Sequence, residues 1–167
     1  NGVVHVNGVA QTTFTGAQLA DNQVTFVHNG SEMTSASFNV QVEDGNEDSS
    51  SPVTLPFNLT VTPVNDAPTT DLNAGGGGTG NAAAFTEQTP VLISPVGTIA
   101  DVDSASLASM TVTLTARPDG NGVESLSLNA AATLAAAGLT VSYTAGTGIL
   151  LITGSASLST YQTILQG

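Results

Sequence analysis

The sequence predicts an all-β protein built from two antiparallel β-sandwich modules in tandem. Three observations carry that reading. Apolar and polar residues alternate in short runs, turn-forming residues separate the runs at sandwich spacing, and only two short segments show a helical pattern. A chain of 167 residues has room for two modules, since an all-β module takes about 100 residues or somewhat fewer.

In the first half the alternating runs are "VTFVH" at 24–28, "SFNVQVE" at 37–43 and "PFNLTVTP" at 56–63. Period-2 alternation marks half-buried strands, and it assigns Phe26, Phe38, Val40, Val42, Phe57, Leu59 and Val61 to one core. Between them, "HNGSE", "EDGNED" and "NDAP" place Asn, Asp, Gly or Pro where the chain must reverse. In the second half the expected strands are "PVLISPVGTIA", "SMTVTLTA", "ESLSL", "LTVSYT" and "GILLIT", with "DGNG" at 119–122 as a hairpin turn.

The two helical segments are "AATLAAAG" at 131–138, stopped by Gly138, and "SLSTYQTIL" at 157–165. In the latter, Ser157 is the expected cap, and Leu158, Tyr161 and Leu165 fall on one face. The run "NAGGGGTGNAAA" at 73–84 reads as a linker, because glycine loses the most freedom on ordering. It lacks the following Lys and the strand-to-helix setting of a phosphate loop. The expected division is therefore 1–70, a linker over 71–84, and 85–167.

Charge limits the function. Thirteen carboxylates stand against a single basic side chain, Arg117, for a formal net charge of -12. Nucleic acids and anionic lipid surfaces require Lys and Arg, so neither is an expected partner, and no run of apolar residues is long enough to insert into a membrane. Cysteine is absent. Carboxylates are then the abundant metal ligands, and they favour hard cations, calcium first. Two histidines, His5 and His28, without cysteine, supply no nucleophile with a base and an orienting partner, so no enzyme activity is expected.

The run "FTGAQLADNQVTFVHNGSEMTSASFNVQVEDG", followed by "LTVTPVNDAP", resembles the second half of a CSPG-type cadherin-like repeat over residues 14–68. The segments "FTEQTPVLISP", "IADVDS" and "GTGILLITGSASLSTYQTIL" resemble a further cadherin-like module of giant bacterial RTX-type adhesins. The resemblance implies Greek-key, Ig/cadherin-like sandwiches, the first incomplete at its N-terminus and the second lacking its last strands. It also implies an extracellular, surface-bound bacterial protein whose partners are neighbouring repeats, identical subunits, or surface glycans and proteins.

Cadherin-like modules bind Ca2+ where consecutive domains meet. Carried over by position, Glu32 of "GSE" resembles the upper-domain glutamate, Asn65 and Asp66 the linker pair, and Asp101 and Asp103 of "DVD" the lower-domain pair. Asp44 of "EDG" is a further ligand on the same analogy, and Glu87 resembles the glutamate that serves the next junction along. The chemistry agrees, because a D-x-D in a turn can present two carboxylates to one ion.

Each motif also has a purely structural reading. Asn65 and Asp66 before Ala-Pro make a side-chain-capped turn, and "DVDS" makes a turn closed by Asx hydrogen bonds. The run "DGNED" at 44–48 opens like an EF-hand loop, but Ser49 and Leu55 stand where Gly and Glu are needed, so it reads as a polar hairpin tip. Two binding functions follow from the sequence. One is a calcium-stiffened structural or adhesive segment, stalk or filament. The other is a carbohydrate-binding accessory module, against which stands an aromatic content of 4% with no Trp.

Overall fold

The computed structural model describes residues 2–43 and 52–167. Most of its regular structure is antiparallel strand, with three short helices, as an all-β chain requires. The chain forms two compact units, Asn1–Asn65 and Asp66–Gly167.

The first unit opens with strand β1 (Gly2–Val6), a two-residue reversal and β2 (Val9–Ala10). Asn7 and Gly8 take φ of 51° and 79°. That left-handed pair is the hairpin turn whose twist matches the flanking strands, and Asn-Gly is its preferred sequence. Helix α1 (Gly16–Ala20) starts at a capping box, in which Thr15 Oγ1 accepts from Gln18 N–H and Gln18 Oε1 accepts from Thr15 N–H. Strand β3 (Val24–His28) pairs with β1, giving a sheet ordered β2-β1-β3.

Strands β4 (Ser35–Val40) and β5 (Leu55–Thr60) form a separate antiparallel ribbon. Its register places Ala36, Phe38 and Val40 opposite Leu59, Phe57 and Leu55, so all six apolar side chains share one face. Phe38 is the connecting residue. Its ring stacks on Phe26 of β3 at 6.0 Å and on Phe57 of β5 at 5.0 Å, which joins the ribbon to the three-stranded sheet. Gly2 leaves space for the Phe26 ring, because a Cβ there would collide with Phe26 Cζ. The buried apolar side chains of this unit are few, Val6 and Ala36 among the described residues. Val42, assigned by alternation to the core, is 83% exposed, because β4 ends at Val40 and the alternation beyond it has no partner strand.

The second unit begins with a short ribbon of β6 (Thr69–Asp71) and β7 (Thr98–Ala100). Between them the glycine-rich segment turns back on itself, with Leu72 N–H bonded to Thr79 O at 2.8 Å and Gly76 N–H to Asn73 O at 3.0 Å. The strand expected over 90–100 shrinks to β7. Pro90 and Pro95 have no N–H to give a ladder, and Gly97 N–H closes a turn onto Ser94 O instead.

Strand β8 (Ser106–Thr113), helix α2 (Ala130–Ala135), β9 (Thr140–Thr144), β10 (Ile149–Ser157) and α3 (Leu158–Leu165) complete the unit. The sheet order is β8-β10-β9. With β10 already paired on both sides, "ESLSL" has no place beside it and is not a strand. Leu126 and Leu128 of that segment pack against the core instead, and Tyr143 Oη donates to Glu124 O at 3.3 Å. "DGNG" is consequently a turn but not a hairpin.

On the inner face, Leu150 lies between Val112 and Tyr143, and Ile152 between Met110 and Val141. Leu150 and Ile152 form the core with Ala136, Tyr161 and Ile164. Both helices begin as their sequences dictate. Asn129 Oδ1 accepts from Ala132 N–H at 2.8 Å, and Ser157 Oγ from Thr160 N–H at 3.1 Å.

Helix α3 holds the unit's parts together. A bulge interrupts β10 between Thr153 and Ala156, where Gly154 has φ of 131°, and the fully buried Tyr161 donates its hydroxyl to Gly154 O at 2.7 Å. Burial pushes the Tyr161 phenol pKa up, which keeps it a donor. From the next residue Gln162 Oε1 accepts from Ile99 N–H at 3.1 Å, and one turn further on Gln166 Nε2 donates to Gly97 O at 2.8 Å. The i, i+4 glutamines thus supply partners that the short β7 lacks on that edge.

Two substitutions test this packing by urea denaturation. Tyr161→Phe leaves the Gly154 carbonyl without its donor and is expected to cost about 1–2 kcal/mol. Ile152→Ala leaves a cavity at the sheet centre and is expected to cost about 2–5 kcal/mol.

Candidate functional site

Three acidic residues of the second unit, Asp66, Asp101 and Asp103, come together because of its first ribbon. The β6–β7 register pairs Thr69 with Ala100 and Asp71 with Thr98. Continued three residues beyond the ribbon, the same register places Asp66 opposite Asp103. Pro68 stops the regular ladder, yet the two chains stay together, with Thr69 Oγ1 donating to Ala100 O at 3.2 Å. Asp66 N–H donates to Asp103 Oδ2 at 2.7 Å, a short bond of the kind an ionised acceptor makes.

The turn from β7 to β8 is ordered by Asp101. Its Oδ1 accepts from Asp103 N–H at 3.1 Å and from Ser104 N–H at 2.8 Å, and Ser104 Oγ donates to Asp103 Oδ1 at 3.3 Å. This is the Asx-closed turn that "DVDS" allows. The Asp103 carboxyl beside it and the Ser104 N–H hold the Asp101 carboxyl below its usual range, against a smaller upward push from burial.

One carboxylate oxygen each from Asp66 and Asp103 lie within 4.8 Å of one another. Two ligands of a single calcium ion, each at about 2.4 Å, span no more than that distance. The donors are all hard oxygens, with the Ser104 hydroxyl adjacent, and the carboxylates of Asp66 and Asp103 are open to solvent. The turn geometry and the ligand geometry are compatible, since a carboxylate that accepts one or two N–H bonds keeps lone pairs for a cation.

Of the residues singled out in the sequence, Asp66, Asp101 and Asp103 are brought together in the second unit. Glu32 and Asn65 belong to the first unit, Glu32 half-buried between β3 and β4 and Asn65 at the unit's last position. Asp44, with the whole "DGNED" run, lies outside the described residues. Glu87 is exposed on a separate turn, closed by Thr89 N–H onto Thr86 O at 3.0 Å. His28 makes a local contact, its Nδ1 accepting from Gly30 N–H at 3.3 Å. Ser104, which the sequence reading does not single out, completes the turn. Its place directly after D-x-D was the available signal, because a hydroxyl there can bond back to the preceding carboxylate.

A family model described as cadherin-like matches residues 1–61, and it supports a cadherin-like domain in that part of the chain. Cadherin-like domains are a non-catalytic structural and adhesive fold, usually extracellular, and commonly bind calcium. No curated protein and no solved structure matches the chain. Among the described residues, no helix is long and apolar enough to cross a membrane.

The Asp101 turn has a pH signature. A carboxyl whose pKa is lower folded than unfolded contributes stability above the unfolded value and loses it as pH falls through the folded one. The carboxyl carbon of Asp101, followed by NMR, is expected to titrate below an aspartate in an unstructured peptide. Asp101→Asn, which keeps an Oδ1 acceptor, is expected to preserve the slow exchange of the Ser104 amide, and Asp101→Ala to abolish it.

Proposed function

We propose that this chain is a structural and adhesive repeat segment of a large secreted or surface-bound bacterial protein, stiffened by Ca2+ where its modules join. The observation that carries the proposal is the convergence of Asp66, Asp101 and Asp103 on one ribbon end, in a chain with thirteen carboxylates and one cation. The cadherin-like match over residues 1–61 supports the adhesive and structural role.

In this reading Asp66, Asp101 and Asp103 supply ligands to the ion, and Glu32 and Asn65 are the further positions that the cadherin-like resemblance adds. The Asp66–Asp103 spacing supports a shared ion, and the absence of Lys leaves few competing cations in the chain. Without an ion, adjacent carboxylates repel. A bound Ca2+ removes that repulsion and couples the segment before β6 to the β7–β8 turn, which stiffens that end of the ribbon. The partners are neighbouring repeats or identical subunits, arranged as an adhesin stalk or an extracellular filament.

Calorimetric melting with CaCl2 and then with excess chelator tests the ion. Ligand at a hundredfold its Kd stabilises a native state by about 2.7 kcal/mol, so the melting midpoint is expected to rise by several degrees and to return with chelator. Asp66→Ala with Asp103→Ala is expected to remove the response. An unchanged midpoint in the parent chain at millimolar CaCl2 would rule the ion out.

A further inference from the structure

The sequence contains four Asn-Gly pairs, at 1–2, 7–8, 29–30 and 121–122, of which the last three lie wholly within the described residues. A glycine nitrogen, unscreened by a Cβ, is the backbone nucleophile best able to reach the side-chain carbonyl of the residue before it. Folding decides which pair is free to react.

At 7–8 the hairpin holds Asn7 at φ 51°, its N–H bonded to Gln23 O at 2.9 Å and its carboxamide donating to Gln23 Oε1 at 3.3 Å. At 29–30 both reacting groups are engaged, since Gly30 N–H donates to His28 Nδ1 and Asn29 Oδ1 accepts from Ser31 N–H at 3.2 Å. The pair at 121–122 differs. Both residues are exposed in a turn whose hydrogen bonds go around them, with Gly120 N–H on Arg117 O and the N–H groups of Val123 and Glu124 on Gly120 O. Among the described residues, neither the Asn121 carboxamide nor the Gly122 N–H has a hydrogen-bond partner.

We propose that Asn121–Gly122 is a site of spontaneous deamidation, selected by the fold over the other two pairs. The Gly122 nitrogen loses its proton to water and forms a bond to Asn121 Cγ. The Cγ–Nδ2 bond breaks and ammonia leaves, giving a five-membered succinimide. Water then opens the ring at Cγ to give aspartate, or at the main-chain carbonyl to give isoaspartate, in which the backbone runs through the side chain. No oxidant or reductant is needed.

Either product adds one carboxylate, taking the formal charge from -12 to -13. It appears beside Asp119, whose N–H bonds Glu124 Oε2 at 3.2 Å, so the turn becomes a locus of three acids. The isoaspartate form also lengthens the main chain within the turn. A long-lived extracellular chain would record its age at this position.

The test incubates the whole folded chain at mildly alkaline pH and maps it by mass spectrometry after digestion at acidic residues. The peptide holding 121–122 is expected to gain one mass unit, with isoaspartate confirmed by methyltransferase labelling, several times faster than the peptides holding 7–8 and 29–30. In urea the three rates are expected to converge. Gly122→Ala is expected to slow the reaction about tenfold, because a Cβ restricts the approach of the nitrogen. Equal rates at the three pairs in the folded chain, or no mass gain at 121–122, overturn the proposal.

Discussion

The docking of helix α3 is the constraint on which the second unit depends. Tyr161 fills the core with its ring and ends on Gly154 O, so one side chain both contributes apolar burial and repairs a main-chain carbonyl exposed by the β-bulge. Gln162 and Gln166 then take hold of the β6–β7 ribbon through Ile99 N–H and Gly97 O. The ribbon is only three residues wide on each strand and could not stand alone. Because α3 fixes β7, it also fixes where the turn carrying Asp101 and Asp103 emerges.

The first unit is built on a different principle. It has little fully buried apolar surface, and its two sheets meet through a row of three phenylalanine rings, Phe26, Phe38 and Phe57. The last of these is 50% exposed, so the row ends in solvent. Aromatic pairs contribute beyond their area, and the Phe26–Phe38 pair joins β3 to β4, which lie in different sheets.

The acidic turn couples the two concerns of the protein, order and charge. Asp101 spends one oxygen on main-chain N–H groups, and the Asp103 carboxyl beside it together with the Ser104 N–H lowers its pKa, while Asp103 receives the N–H of Asp66 from the other strand of the ribbon. The same contacts that close the turn therefore aim carboxylates at a common space. A chain with a single arginine has no internal cation to offer there, since Arg117 is bound to Ala145 O and Gly146 O at the β9–β10 turn.

Much of this was legible in residues whose effect is local. Alternation marked β3, β9 and β10, Ser157 marked the start of α3, and the D-x-D-S run marked an Asx turn, because each depends on neighbours a few positions away. The order of strands was not. That β10 takes both β8 and β9, leaving "ESLSL" unpaired, depends on which edges are filled first, and two prolines removed most of the strand expected before β7. The composition alone determined an acidic, cysteine-free, strand-rich chain suited to hard cations. Only the tertiary structure decided that Asp66 meets Asp103, because that meeting is set by the register of a ribbon whose two strands are separated by a long loop, and register is a property of paired chains.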